Sequence, residues 1–289
     1  MVEQAWFCSC LSVLPVNIPV IMGLKEQLRG IIPEHSLCYL SDRFDVIGNI
    51  AVLCLSPALS DYKAEIAHAI LSRRKNITTV INKTSRLGGS NRTGRYEILA
   101  GNSTITVHHE YDYAYKLDVG TVFFNPRLAS ERKRVTVQVQ RGERVLIPCC
   151  GVGPFVVPAA ARGAEIIAVE QNPEACRWLV ENIRLNGVED RVTIIEGDAF
   201  DISLLPTYNF DRAIIPTPYG MDAIFEVIAP RVKQRGTIHF YTFKNRQQAD
   251  ALGPEFGQKG FEVIIQRRCG NVAPGVSRYV FDLVKRKQV

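Results

Sequence analysis

The 289-residue chain is 46% hydrophobic and 22% charged, the balance of a globular protein long enough for one large domain or two smaller ones. Its eight cysteines show neither zinc-type nor disulfide-framework spacing, which argues against a metal-built or disulfide-built scaffold and for reduced thiols in a cytoplasm. The formal net charge of +6 permits a nucleic-acid partner without requiring one.

Residues 5–22 are apolar, but they lack a basic leader, contain Pro15 and Pro19, and show no cleavage site. Residues 1–23 are therefore expected to be an N-terminal extension and not a signal peptide or membrane span. Leu24–Ile32 has helical spacing and stops before Pro33. Phe44–Leu53 reads as a strand with a kink or bulge at Gly48. Tyr62–Arg74 repeats apolar residues at Ile66, Ala69 and Ile70, one face of a helix. Short alternating runs follow at Thr78–Ile81, Tyr96–Leu99, Thr104–His108 and Tyr115–Val119. Together these elements predict a compact α+β unit over residues 24–120, with Arg92 and Arg95 on a glycine-rich loop. His108 and His109 lie on a strand-like run, and no metal is expected there.

Residues 125–134 carry the densest charge in the chain. A solvated helix start explains such a run; equally, its arginines would grip phosphates or a base carbonyl, and Glu131 would take a proton. Ser130–Val139 leads into a second domain, residues 121–289, with the alternating strands and helices of a Rossmann-like α/β fold.

Within it the apolar run Val145–Pro148 enters Cys149-Cys150-Gly151-Val152-Gly153-Pro154-Phe155, and Val156–Ala161 follows as a helix. A second buried strand, Ile166–Val169, ends in Glu170, placed to accept hydrogen bonds from ribose hydroxyls. A third, Val192–Ile195, ends in Gly197-Asp198-Ala199, where a carboxylate would meet an adenine amine. These strand ends are expected to converge on one adenosine. A dinucleotide fingerprint needs a third glycine where this chain has Val156, and no lysine waits for a triphosphate. S-adenosylmethionine, with a ribose and no phosphate, fits better than a nicotinamide cofactor; a doubly wound domain with an empty crevice is the remaining alternative. Pro173–Asn186 reads as a helix, Asp211–Ile215 as the fourth strand, Asp222–Val232 as a helix and Thr237–Phe243 as the fifth strand. Final strands lie near Glu262–Arg268 and Ser277–Val284. The loop Pro216–Gly220 should border the transferred group, with Tyr219 either stacking on a base or half-buried.

The chain resembles the archaeal and eukaryotic tRNA (guanine-N1)-methyltransferases that modify guanosine 37, beside the anticodon. The likeness covers residues 24–289. It rests on Phe44-Asp45-Val46-Ile47-Gly48, Leu99-Ala100-Gly101, Lys116-Leu117-Asp118-Val119, Asn125-Pro126-Arg127 through Glu131-Arg132, Gly151-Val152-Gly153-Pro154-Phe155, Ile238-His239-Phe240-Tyr241 and Ala273-Pro274-Gly275-Val276. On this resemblance the family's further N-terminal domain is expected to be missing, or reduced to the first 20-odd residues.

The resemblance implies a class I methyltransferase fold, S-adenosylmethionine as cofactor and the tRNA anticodon region as partner. Its catalytic set would be Glu131 as general base, Arg92 at guanine O6 and Pro218 in the base-holding loop. The cofactor set would be Cys150, Gly151, Gly153, Phe155, Glu170, Gln171, Asp198, Ala199 and Pro216. Arg127, Arg132, Arg95 and Tyr219 would contact RNA. Guanine N1 is a poor nucleophile until it loses its proton, and it is reached only in a flipped nucleotide. Two positions depart from the family pattern. Ile147 replaces the acid that opens the cofactor motif, and Pro216 replaces the asparagine of the fourth-strand loop, which removes a side-chain amide and an N–H. Three alternatives stay open: an enzyme acting on wyosine-type derivatives of the same guanosine, a catalytically silent tRNA binder, and a small-molecule methyltransferase.

Overall fold

The computed structural model describes residues 23–85 and 94–286. The first unit opens with two short helices, α1 (Leu24–Leu28) and α2 (Glu34–Leu37). The helix expected over Leu24–Ile32 ends early because Arg29 turns extended and Gly30 takes φ +83°. The single strand expected over Phe44–Leu53 is a hairpin of β1 (Asp45–Ile47) and β2 (Ile50–Leu53). Gly48 turns it at φ +56°, and a Cβ there would sit 2.1 Å from Thr106 Oγ1. Only glycine supplies both the left-handed backbone and the close approach. Helix α3 (Lys63–Arg73) then carries the chain to β3 (Thr79–Lys83), parallel to β2, and β4 (Tyr96–Ala100) completes a sheet of order β1-β2-β3-β4. Ile66 and Ile70 of α3 pack with Leu28, Leu53 and Val80 into this unit's own core.

The hairpin β5 (Ile105–Glu110) and β6 (Tyr113–Asp118) forms a separate two-stranded sheet. Its outer edge is closed by a helix, α6 (Pro173–Leu185). Asn182 Oδ1 accepts from Lys116 N at 2.7 Å, and its Nδ2 donates to Lys116 O at 3.1 Å. The α6 C-cap Asn186 repeats the pattern at Ala114, at 3.1 and 2.8 Å. Residues four apart on a helix rise about 6 Å, close to the two-residue repeat of a strand, so two amides stand in for a neighbouring strand. Tyr115, Leu117 and Val119 pack in a core cluster that also holds Ile47, Ile50 and Ile81 of the first sheet and Val145, Val152 and Trp178 of the following fold.

Helix α4 (Ala129–Thr136) precedes the large sheet. Strands β7 (Arg144–Pro148), β8 (Glu165–Glu170), β9 (Val192–Glu196), β10 (Phe210–Ile215) and β11 (Val232–Lys244) are parallel. The strands β12 (Phe261–Ala273) and β13 (Val276–Lys285) form an antiparallel hairpin, through which β13 pairs with β11. The order β12-β13-β11-β10-β7-β8-β9 reverses between β7 and β10, the switch point at which such sheets bind ligands. Helices α5 (Val156–Ala161), α7 (Ile224–Ile228) and α8 (Arg246–Gln258) complete the layers with α6. β7 and α5 fall where the apolar run and its glycine turn predict them. The helix expected over Asp222–Val232 is shorter: a 3-10 turn at Ala229–Arg231 follows α7, and Val232 begins β11, which runs well beyond the expected Thr237–Phe243. Among the described residues no helix is long and apolar enough to cross a membrane.

Candidate active site

Two adjoining cavities open at the carboxyl ends of β7, β8, β9 and β10. The first, about 770 Å³, is lined by Gly151, Glu170, Gln171, Asp198, Ala199, Pro216 and Pro218 among others. The second, about 580 Å³, is lined by Cys150, Gly151, Phe155, Arg132, Pro216 and Tyr241 among others. The three strand ends expected to share an adenosine thus meet in one cleft. Glu170 fixes the cofactor turn: Gly151 N donates to Oε2 at 2.8 Å and Asn172 N to Oε1 at 3.0 Å. Each oxygen keeps acceptor capacity for a ligand hydroxyl. Gly153 takes φ +93°, and a Cβ there would lie 2.5 Å from Leu179 Cδ1, so this glycine lets the turn pack on α6. Gly153 lines neither cavity and shapes the turn through its packing on α6. Val152 O receives 2.9 Å from Asn182 Nδ2, which ties the turn to the same helix.

Ile147, where the resemblance places an acid, is fully buried and pairs with Ala168 across the sheet. It presents nothing to either cavity. Cys149 lines both instead, on a left-handed backbone of φ 52°. Burial, with Glu170 nearby, pushes the Cys150 thiol up and keeps it protonated.

Glu131 lies one side chain behind the second cavity and is only 2% exposed. Tyr241, which lines that cavity, donates to Glu131 Oε1 at 3.1 Å. Arg134 donates to the same oxygen at 2.8 Å, while Oε2 is buried without a hydrogen bond. Burial raises the Tyr241 phenol far above its ordinary range, so it acts as a donor and not as an anion.

Arg132, expected to hold the catalytic segment and the RNA backbone, is 4% exposed and bonded to Glu110 and to Asn125 O of that segment, with its face over Phe124. The reason is electrostatic. Glu110 is itself buried, and burial alone would raise its carboxyl, but hydrogen bonds from His108 and Arg132 outweigh that and hold it low. Arg127 is exposed and pairs with Asp45 at 2.6 Å, bridging the two units. Arg95 is exposed at the end of β4's hairpin and lines neither cavity. Tyr219 is 58% exposed, outside both cavities, and packs on Phe243 at 5.3 Å between ring centres. Arg92 lies outside the described residues.

Sequence reasoning did not find Phe123 and Arg278, which line both cavities together with Thr217 of the expected loop. Arg278 sits on β13 with its guanidinium 4.8 Å from the Phe243 ring centre, and no local motif marks it. Asn172 was detectable: it caps α6, accepting from Glu174 N at 3.1 Å, directly before Pro173. Among the described residues no group of His, Cys, Asp and Glu could hold a metal ion.

With this geometry in view, comparison with known proteins is specific. A family described as TRM5/TYW2 methyltransferase domain matches residues 106–269, and one described as TYW2 N-terminal domain matches residues 24–104. The tRNA (guanine(37)-N(1))-methyltransferase Trm5b of Pyrococcus abyssi is 36% identical over 269 residues, covering 90% of this chain and 77% of that protein. The tRNA(Phe) (4-demethylwyosine(37)-C(7)) aminocarboxypropyltransferase of Pyrococcus horikoshii is 36% identical over 274 residues, covering 90% of this chain and 97% of that protein. Among solved structures, the complex of aTrm5 with tRNALeu superposes with a TM-score of 0.81 at 27% identity, covering 91% of this chain and 78% of that one. P. horikoshii TYW2 in complex with MeSAdo gives 0.74 at 30% identity, covering 92% and 98%. A cleft at the switch point, an acid-pinned glycine turn and a buried glutamate on α4 are thus set in a chain that belongs to the TRM5/TYW2 methyltransferase family.

Proposed function

We propose that the chain transfers a methyl group from S-adenosylmethionine to N1 of guanosine 37 in tRNA. The observation that carries this reading is Glu131: a buried carboxylate with one oxygen unbonded, one side chain behind a cleft suited to an adenosine. The donor set fits the cofactor. Glu170 offers a carboxylate to a ribose diol, Asp198 an acceptor to an amine, and the wall of Phe123, Val169, Ala199 and Pro216 an apolar slot for a base. S-adenosylmethionine supplies an electrophilic methyl group on a sulfonium.

The protein's own residues do the rest. Glu131 accepts the N1 proton, and Tyr241 and Arg134 steady its other oxygen. Negative charge then builds on guanine O6, and Arg92 is assigned to stabilise it. Pro218 lines the cofactor cavity beside Pro216 and frames the entering base. Tyr219 and Arg127 remain exposed for RNA. A cytoplasmic location belongs to this reading and is supported by the free cysteines among the described residues.

A second reading is aminocarboxypropyl transfer to a wyosine-type base. It is favoured by Pro216, which offers no side-chain amide, and by the P. horikoshii relative whose length this chain nearly spans. One experiment separates the two. Unmodified tRNA bearing guanosine 37, its adenosine-37 counterpart and a demethylwyosine-bearing tRNA are incubated with S-adenosylmethionine labelled either in the methyl group or in the aminocarboxypropyl chain. Methyl label on the guanosine tRNA alone is the expected result. Chain label on the demethylwyosine tRNA alone would replace it with the second reading.

The cofactor assignment has its own test. Glu170→Ala removes a charged acceptor of the turn and of the ribose, each such bond contributing about 1.5–3 kcal/mol. Affinity for S-adenosylmethionine, measured by calorimetry, is expected to fall by about two orders of magnitude. Unchanged affinity would remove Glu170 from the site.

A further inference from the structure

Glu131 stands at one end of a buried line of charges that crosses the sheet. His239 on β11 lies directly opposite Asp282 on β13, and its Nδ1 is 2.7 Å from Asp282 Oδ1. On its other side Arg212 Nη1 is 2.7 Å from His239 Nε2. A guanidinium can only donate, so Nε2 accepts and Nδ1 carries the hydrogen that Asp282 receives. The ring is fully buried, and burial depresses its pKa more than Asp282 raises it, so it stays neutral. Asp282 also receives both terminal nitrogens of Arg134, at 2.6 and 3.1 Å. Arg134 in turn grips Glu131 Oε1 through Nε at 2.8 Å.

The asymmetry at Glu131 is the informative feature. Arg134 and Tyr241 both donate to Oε1, whereas Oε2 has no hydrogen bond and faces Arg267 at 3.3 Å. A carboxylate placed only for structural neutralisation would have donors on both oxygens, because an unbonded buried oxygen is costly. Without a fixed Arg134, rotation of the carboxylate would exchange the two oxygens freely. Asp282 fixes the plane of that guanidinium, and His239 fixes Asp282.

We propose that Asp282 and His239 are positioning residues that hold Glu131 with Oε1 engaged, so that Oε2, which has no hydrogen bond and only the Arg267 cation beside it, accepts the proton of the methylated nitrogen. This rests on the reading of Glu131 as the base. Neither residue touches substrate; each acts through Arg134.

The test is a double-mutant cycle on the full chain with guanosine-37 tRNA. Asp282→Asn keeps the shape and loses the charge. Its kcat should fall about 10- to 100-fold, with KM for tRNA and S-adenosylmethionine within about twofold. In a Glu131→Gln background the same change should alter the residual rate by less than about twofold, because the residue it positions is gone. An equal loss in both backgrounds, or a raised KM at unchanged kcat, would overturn the proposal. His239→Gln keeps the Arg134–Asp282 pair and serves as the second variant if Asp282→Asn does not fold. It should show a smaller kcat loss that likewise vanishes beside Glu131→Gln. If Glu131→Gln itself turns over at the wild-type rate, the base reading fails first, and that result is distinct from an additive loss at Asp282.

Discussion

Glu131→Gln is expected to lower kcat for methyl transfer by about two to four orders of magnitude, the usual contribution of a positioned general base. Glutamine keeps the shape of the side chain and an oxygen for Arg134 and Tyr241, so the fold should persist. What it removes is the lone-pair charge on the second oxygen. Binding of S-adenosylmethionine should change little, because Glu131 lines neither cavity. The residual rate should climb with pH, since solvent then takes the guanine proton that the side chain no longer accepts. Single-turnover rates of wild type and variant across pH, alongside cofactor affinity by calorimetry, check this. A variant with the wild-type rate and profile would move the base elsewhere. The structure also names what must shift during turnover: Arg267, 47% exposed on β12, is the cation against Oε2.

Arg212→Met should have the largest effect on stability. Arg212 is 6% exposed, binds Glu143 through two nitrogens at 2.8 and 3.0 Å, reaches Gln138 O at 3.0 Å and donates to His239. Methionine fills much of the volume but leaves Glu143, His239 and a backbone carbonyl without their donor. Removing one partner from a buried pair costs about 3–5 kcal/mol. The midpoint of thermal unfolding should fall by on the order of 10 °C. Arg212→Lys should recover only part of this, because an ammonium cannot span the two carboxylate oxygens and the imidazole together. An unchanged melting curve would show that the pair contributes nothing net.

How much of this could be read from the chain follows from where each signal lies. β7 and β8 are buried on both faces, so their apolar runs and their ends at Pro148 and Glu170 stand out locally, while β9, a half-exposed edge strand, is marked by its own short β-branched run. The cofactor edge of the site was legible for that reason. The hairpin at Gly48-Asn49 was read as a kink, although a glycine-asparagine pair between apolar runs is a turn signal. Helix α8 was missed because Gly253, Pro254 and Gly257 mask its periodicity, while its capping box, Asn245 with Gln248, was the available clue. The length of β11 was hidden by the polar stretch Lys233–Arg235, whose Arg235 takes φ +66°. The cage around Glu131 could not be seen at all. Arg134 on α4 and Asp282 on β13 are 148 residues apart and meet only through the tertiary fold, while the pairing of β11 with β13 sets His239 beside Asp282.

The side-chain pairing of Asn182 and Asn186 with β6 bears on what an unpaired strand edge would otherwise offer. An unpaired strand edge is a template for another chain, and proteins usually blunt it with charge, proline or a bulge. Here a helix caps it with two amides that alternate acceptor and donor as a strand would. Such a cap depends on phase. One residue inserted between the two asparagines would rotate the second amide by about 100° away from the edge. The spacing along α6 thus shields this one strand edge from pairing with another chain, and it does so from the same helix against which the glycine turn packs.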